Sequence, residues 1–348
     1  MQAYARSTIL TIIAVTAACS PHTPAQMITP ASGEKHLTSI RQITFGGENA
    51  EAYFSHDGKW LTLQSTRDGH PCDQQYIMRI DGTDARRISD GRGKTTCGWF
   101  FPGDKKLFFA STTAHDSTCP VKPDPSKGYV WPLDRYDIYT VNRDGSDLTR
   151  LTHYDVYTAE GVLSPDGKRI VFTSLKDGDL EIYTMNADGS DVRRLTNTPG
   201  YDGGAWWSPD GTQIVYRANH PTDPAELKTY RDLLEQRLVR PARVELFLMN
   251  ADGSNQRQIT HLGGANFGPS WTPDGKRIIF SSNYQSPRSG NFDLFLVNPD
   301  GTGLEQITFD QSFDGFPMFS PDGRKLVWAS NRHAATPGET NLFVAEWH

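Results

Sequence analysis

The chain has 348 residues, among them 31 Gly and 22 Pro, and a formal net charge of −6 at pH 7. This acidic balance, without a dense basic stripe, excludes a typical nucleic-acid-binding surface. The frequent Gly and Pro residues mark many turns and favour β structure in a soluble globular protein.

Residues 1–18 predict an export signal. Arg6 precedes an apolar run at residues 9–15, which is too short to span a bilayer as a permanent anchor. The run ends in Thr16-Ala17-Ala18-Cys19, and small residues before a Cys resemble the bacterial lipobox, in which Cys19 would be acylated and become the mature N-terminus. Thr16 stands where that motif usually has Leu, so a plain secretory signal is the alternative.

Residues 19–35 predict a lipid-anchored, flexible tether, because they contain Pro21, Pro24, Pro30 and Gly33. Ser20 stands where Asp would retain many such lipoproteins at the inner membrane. These features predict a periplasm-facing lipoprotein that is anchored in the outer membrane.

Residues 36–348 repeat one pattern six times: an apolar stretch, a tight turn and a second apolar stretch. Pro sets φ at the first corner of the turn, and Gly takes the left-handed position that closes a hairpin. An alternating strand follows each turn, and this period of two is typical of a sheet with two distinct faces. The six turns are at residues 54–59, 101–105, 164–168, 208–211, 272–276 and 320–324.

A second hairpin follows in the first five units. Its full form is Asn-x-Asp-Gly-Ser/Thr, followed by a short strand that ends in Leu-Thr or Ile-Thr, and residues 81–83 and 144–146 supply its Asp-Gly-Thr or Asp-Gly-Ser turn in two of the units. Residues 185–196, 249–260 and 297–308 show it in full. Two hairpins give four strands per unit, which is the composition of a propeller blade. The sequence therefore predicts an all-β protein, a six-bladed β-propeller with four-stranded blades.

The two ends of this region predict how the ring closes. The sixth unit stops after a third strand at residues 341–348, while residues 40–44 match the fourth-strand pattern and precede the first unit. This N-terminal strand can complete the last blade, which removes open sheet edges.

With these motifs the chain resembles the TolB family of Pro-Asp-Gly propellers over about residues 36–348. TolB carries an α/β domain before its propeller, and only the tether is expected in that place here. The resemblance implies the fold strongly and the activity weakly, because propellers host many functions.

Strand order predicts that both sets of turns lie on one face of the propeller and that all long loops lie on the other. Insertions at residues 113–135 and 219–243 fall on this loop-rich face. In the second insertion, Asp223 can cap a helix that begins at Pro224. We expect its apolar stripe to be buried on the propeller; a lid or a partner-docking helix is the alternative.

Polar residues at or near the start of the inner strands predict a binding site at the mouth of the central channel. Converging carboxylates would focus negative potential and could hold a cation, a sugar or a peptide donor group, and calcium would suit such oxygen ligands. The alternative is that these groups and water satisfy the loop backbone. The candidates are Asn49, Glu51, Glu160, Asp202, Asn266 and Asp314.

Three cysteines map to the same face. An oxidising periplasm favours one disulfide, and we assign it to Cys72 and Cys119, which follow the second strands of adjacent blades. Cys97 then remains a thiol. No Cys/His spacing indicates zinc.

Two functions remain open. The preferred one is a non-catalytic envelope lipoprotein that binds a protein or peptide partner through its loop-rich face. The alternative is a channel-mouth enzyme or a metal-dependent carbohydrate-binding protein, such as a propeller lyase, a class that resembles this repeat and holds its metal with His and Gln. Here the inner strands offer Asp, Asn and Glu, which favours binding over catalysis.

Overall fold

A computed structural model describes residues 24–348 of the chain. The first five repeats each form a four-stranded antiparallel sheet, and the sixth forms a sheet together with the N-terminal segment. The first strands of the six sheets contact one another around a central channel. The prediction of an all-β, six-bladed β-propeller is therefore confirmed. Cys19 and the rest of the predicted export signal lie outside the described residues.

The strands of each blade follow the chain from the channel outwards. Blades one to five consist of Asn49–Phe54, Trp60–Ser65, Gln74–Arg79 and Arg86–Arg87; Thr95–Phe100, Lys106–Ser111, Asp137–Asn142 and Thr149–Arg150; Thr158–Leu163, Arg169–Ser174, Glu181–Asn186 and Arg193–Arg194; Tyr201–Trp207, Gln213–Asn219, Glu245–Asn250 and Arg257–Gln258; and Asn266–Trp271, Ile278–Ser282, Asp293–Val297 and Glu305–Gln306. Apolar side chains of neighbouring blades meet between the sheets, as Phe54 and Leu63 do with Val327 and Leu342.

Blade six joins the two ends of the described chain. Its first three strands are Asp314–Phe319, Lys325–Ser330 and Asn341–Trp347, and its fourth strand is Leu37–Gln42. The fourth strand pairs antiparallel with the third, so Gln42 lies opposite Phe343. The predicted closure of the last blade by an N-terminal strand is confirmed, and the strand begins three residues earlier than the motif at residues 40–44.

Residues 24–35 differ from the flexible tether that the sequence predicts. Gln26–Ile28 adds a fifth strand to blade six, antiparallel to Leu37–Gln42. Glu34 is buried, and its Oε1 accepts a hydrogen bond from Arg332 Nη2 at 3.0 Å. The same Nη2 donates to Asp314 Oδ2 at 2.7 Å. A buried charge cluster requires all of its partners, so this segment is an ordered part of the propeller.

The Leu-Thr or Ile-Thr ending of each outer strand has a structural role. Thr196 Oγ1 accepts a hydrogen bond from the backbone N–H of Ile182 at 2.9 Å, beside the start of the third strand. The hydroxyl satisfies a buried donor where the short fourth strand has already ended. Equivalent bonds join Thr44 to Leu342, Ser89 to Gln75, Thr152 to Ile138, Thr260 to Leu246 and Thr308 to Leu294.

The two long insertions meet above one end of the channel. Trp131–Pro132 of the first pairs antiparallel with Leu238–Val239 of the second. The first also contains a short 3₁₀ helix, Pro125–Lys127, and the second contains the helix Pro224–Glu235. We call the paired insertions the cap.

The helix begins where the sequence predicts. Asp223 accepts a hydrogen bond from Ala225 N at 2.7 Å and so caps it. The apolar stripe of the helix is half-buried, and the Tyr230 hydroxyl donates to the backbone oxygen of Gly200 at 2.9 Å. The expected burial on the propeller is thus partial. Across residues 24–348, no helix combines the length and hydropathy that a membrane crossing requires.

Replacement of Arg332 by Met is expected to destabilise the propeller. The substitution would leave Glu34 and Asp314 buried without a counter-ion, and we expect the free energy of unfolding to fall by about 3–5 kcal/mol in urea denaturation. Arg324→Met is the matched control, because Arg324 is exposed in a hairpin of the same blade. Equal stability of the two variants would show that the buried cluster does not hold the N-terminal segment.

Candidate functional site

Each inner strand contains a β-bulge whose middle residue has a left-handed backbone. The register of pairing with the second strand shifts near the middle of the strand, as between Ala50 and Tyr53 in blade one. A bulge redirects side chains out of the normal alternation of a strand. The six left-handed residues line one cavity, and we call them the bulge ring: Glu51, Cys97, Glu160, Gly204, Gly268 and Phe316, with φ between 49° and 59°.

Three aromatic residues lie below the bulge ring and close the channel. Tyr53, Trp99 and Trp206 come from blades one, two and four, each two residues after the bulge ring. Their ring centroids are 4.9–5.4 Å apart. Contacts at this distance across the channel form a packed floor.

The cap forms the roof of the cavity. Trp131 and Val239, from the two paired insertions, both line it, and the Trp131 ring lies 6.3 Å from that of Phe267 in blade five. The cavity has a volume of about 320 Å³. It therefore lies on the loop-rich face, at the small end of the range of roughly 300–1,000 Å³ that ligand pockets occupy.

One buried ion pair crosses the wall of the cavity. Arg217 Nη2 donates to Glu160 Oε1, and Arg217 Nε donates to the Tyr201 hydroxyl at 2.6 Å. The second oxygen of Glu160 accepts from Thr173 Oγ1 at 2.7 Å and from Gly204 N at 2.9 Å. A Cβ on Gly204 would lie 2.4 Å from Arg217 Nη1, so glycine leaves the room that the guanidinium needs. The charges of this pair compensate each other.

Glu51 has no such counter-ion. Its Oε2 accepts hydrogen bonds from Cys97 Sγ at 2.8 Å and from the Tyr53 hydroxyl at 3.3 Å, whereas Oε1 accepts none from residues 24–348. Burial, together with the charge of Glu160, raises the pKa of Glu51 from 4.5 to about 7, although the Cys97 hydrogen bond and Arg217 oppose the rise. Glu51 is thus poised between its two protonation states near neutral pH.

Cys97 is the partner of Glu51 across the bulge ring. Burial and the neighbouring Glu51 and Glu160 charges raise the pKa of its thiol well above the ordinary value. A thiol with a raised pKa donates hydrogen bonds and is a poor nucleophile. The other two cysteines on this face, Cys72 and Cys119, form a disulfide, which is the pair named from the sequence.

Of the six predicted site residues, the structure brings two into the cavity, Glu51 and Glu160. Asn49 and Asn266 begin inner strands and lie buried within their blades, where they donate to the backbone oxygens of Gly46 and Val244 at 2.9 Å. This is the alternative role, satisfaction of loop backbone.

Asp202 and Asp314 are buried as well. Asp202 contacts His220 at 3.0 Å, and Asp314 contacts Arg332. Of the residues expected to supply the convergence at the channel mouth, these four therefore lie within the blades instead. The physical reason is the bulge, which turns into the channel the residue two positions after Asn49 and after its equivalents.

No metal-binding constellation emerges from the described part of the chain. In residues 24–348, no three side chains of His, Cys, Asp or Glu lie together as metal ligands would. Glu160 is already engaged by Arg217 and does not share a free oxygen pair with Glu51. Calcium at the channel mouth stays a prediction without support from this donor set.

Sequence reasoning missed Arg217, the aromatic floor and the cap residue Trp131. A usable signal exists for the bulge ring, because each of its members stands five residues before the second residue of a Pro-Asp-Gly-type turn. Glu160 precedes Pro165 and Gly204 precedes Pro209 by this spacing. The position of Arg217 in the cavity wall depends on packing between blades, and no local sequence signal predicts it.

Six antiparallel blades, a closed ring and a capped channel cavity define this protein as a six-bladed β-propeller. Residues 132–229 match the family model described as the TolB beta propeller domain. The fold is similar to that of the putative TolB from Agrobacterium tumefaciens, with a TM-score of 0.60 and 19% identity over 87% of this chain and 91% of that one. Residues 132–229 therefore match a TolB propeller in sequence, and the ring as a whole resembles that of TolB in fold.

Two further similarities mark the breadth of this fold. An oligogalacturonate lyase in complex with manganese is similar with a TM-score of 0.54 and 15% identity, over 94% of this chain and 97% of that one. A stretch of 39 residues is 51% identical to dipeptidyl-peptidase 5 of Porphyromonas gingivalis, and it spans 11% of this chain and only 6% of the peptidase. These similarities concern the fold or one short stretch, not activity.

Glu51→Gln is expected to change how stability depends on pH. An acid whose pKa is raised by folding stabilises the folded state below pH 4.5 and loses that contribution as pH rises through about 7. The loss for Glu51 is on the order of 3 kcal/mol. The variant should therefore gain stability relative to the wild type between pH 5 and pH 8 in urea denaturation.

The matched control is Glu48→Gln, which removes an exposed carboxylate three residues away. Other buried acids titrate in both proteins, so the informative quantity is the difference between variant and wild type. A constant difference across this pH range would contradict the raised pKa of Glu51.

Proposed function

We propose that the chain is a non-catalytic envelope protein that binds a protein or peptide partner through its loop-rich face. In this proposal an exposed side chain or chain end of the partner enters the cavity beneath the cap. The observation that carries it is the cavity itself, which has an aromatic floor and an aromatic roof and lies where both long insertions meet. Binding hot spots are typically such water-excluding pockets lined by aromatic residues.

The surface around the cavity supports a macromolecular partner. Tyr129 is 73% exposed and Val121 is 92% exposed, and both lie on the insertion that supplies half of the cap. Large exposed apolar side chains close to a pocket are typical of docking surfaces. A cavity that holds one side chain, surrounded by such a surface, fits a partner larger than a small molecule.

The chemistry of the cavity favours binding over catalysis. The ion pair of Glu160 and Arg217 is fully engaged, and Cys97 is held as a thiol by the surroundings that raise its pKa. The donor set of the described residues also fits a metal-dependent lyase or sugar-binding protein poorly. These alternatives are therefore not favoured.

We also propose a periplasmic location with attachment through Cys19 to the outer membrane. The disulfide between Cys72 and Cys119 suits an oxidising compartment, and the sequence of residues 1–18 has the pattern of an export signal. Residues 26–28 lie at the outer edge of blade six, so a lipid upstream of them would hold the propeller from its side and leave the cap accessible.

Trp131→Ala should abolish partner capture from envelope extracts. Loss of the roof ring removes an aromatic contact of the type that dominates binding energy, and we expect recovery of a cross-linked partner to fall by about tenfold or more. Leu304→Ala is the control, because Leu304 is an exposed apolar residue in a hairpin on the opposite face. Equal recovery by the two variants, with unchanged melting temperatures, would overturn the proposal.

A further inference from the structure

Glu51, which lines the cavity, leaves part of its hydrogen-bonding capacity unused. Glu51 Oε1 lines the cavity and accepts no hydrogen bond from residues 24–348, although Oε2 of the same carboxylate accepts two. A partly buried carboxylate oxygen without a donor is costly to leave unpaired. Because Glu51 is only partly buried, this oxygen can accept a hydrogen bond from a donor that enters the cavity.

We propose that the cavity binds the cationic end of the partner, an ammonium or guanidinium group, with Glu51 as its counter-ion and the aromatic rings as its walls. This inference rests on the proposed binding function and specifies the chemistry that the cavity selects. It applies equally to a Lys or Arg side chain and to a free chain N-terminus.

The charges around Glu51 leave a net negative site. Glu160 and Arg217, from blades three and four, compensate each other. Lys94 lies at the rim and contacts Asp73 at 3.8 Å, so these two charges also offset each other. Cys97 and Tyr53 donate to Glu51 as neutral groups, and Tyr136, which also lines the cavity, is a neutral phenol. When Glu51 is ionised, the charges in and next to the cavity sum to one negative charge, with Asp73 counted against Lys94.

The walls suit a cation for a second, independent reason. Aromatic faces attract cations, most strongly where water is excluded. The cavity already holds one cation in this way, since the Arg217 guanidinium lies 5.0 Å from the Trp131 ring centroid and 5.6 Å from that of Tyr201. Tyr53 and Trp206 offer further rings at the floor, next to Glu51.

Other ligand charges fit less well. An anion would approach both Glu51 and Glu160, while the guanidinium of Arg217 is already bound to Glu160. A neutral group would remove water from Glu51 without compensating its charge, which is unfavourable whenever the carboxylate is ionised. A cation alone uses both the free carboxylate oxygen and the aromatic surface.

Binding of a cation should be linked to proton release from Glu51. The pKa of Glu51 is about 7 in the free protein, and a bound cation would lower it. Affinity should therefore weaken as pH falls below about 7, by up to about tenfold per pH unit. The same linkage predicts that calorimetric heats depend on the ionisation enthalpy of the buffer.

The test uses the purified full chain and four small probes of similar size: n-butylammonium, n-butylguanidinium, n-butanol and butyrate. Tryptophan fluorescence reports binding, because Trp131 and Trp206 line the cavity. At pH 8 we expect the two cations to bind with millimolar affinity and the neutral and anionic probes to bind about tenfold more weakly or less. Glu51→Gln should lower cation affinity by about tenfold and remove its pH dependence, while Glu48→Gln should leave both unchanged.

Each outcome decides the inference. Cation binding that requires Glu51 supports it; absence of cation binding, equal binding of butanol, or an unchanged Glu51→Gln variant overturns it. The proposed function is tested separately by partner capture. If Trp131→Ala abolishes capture and the cations fail to bind, the proposed binding function stands and the cation selectivity is wrong. If the cations bind and capture does not depend on Trp131, the cation site stands and the proposed partner-binding function is wrong.

Discussion

The left-handed backbone of the bulge ring, one residue in each inner strand, is the constraint on which the cavity depends. In a regular strand, alternation would direct this residue into the interface between blades, where apolar packing dominates. The bulge instead turns it into the channel. For a residue other than glycine this conformation costs about 1–2 kcal/mol, yet four of the six positions carry a side chain. The blade on either side must therefore hold the backbone firmly.

The rigidity of the cavity depends on the closed ring of six blades. Its walls come from six different blades, so no blade contains a site by itself. Glu51 of blade one and Phe316 of blade six stand on either side of the point where the ring closes. The N-terminal strand Leu37–Gln42 and the buried contact of Glu34 with Arg332 thus fix the shape of a site that they do not touch. Ring closure and ligand selection are coupled through geometry.

The sequence predicts the features whose causes are local. Turn chemistry identifies the blades, and the unpaired motif at residues 40–44 predicts the closing strand because a missing partner can be counted. Asp223 and Pro224 predict the start of the helix because a capping side chain followed by Pro is a local signal. Features that depend on packing between blades are not predictable from local sequence. The bulge brings Glu51 into the channel and leaves Asn49 inside its blade, so the sequence pattern assigns Asn49 and its equivalents to the wrong place. The Pro residues in residues 24–35 favour a flexible tether and give no sign that Glu34 is buried.

The other members of the bulge ring occupy the position of Glu51 in their own blades and can be compared with it. Blades four and five place glycine at this position and blade six places Phe316, so the fold itself does not require an acid there. Glu160 occupies the same position in blade three but is neutralised by Arg217. Of Glu51 and Glu160, only Glu51 keeps an oxygen that accepts no hydrogen bond from the described residues, and burial raises its pKa. A group that the fold does not need and that destabilises the folded state above neutral pH is retained most readily if a ligand compensates it. This comparison, internal to one molecule, points to Glu51 as the residue on which selectivity turns.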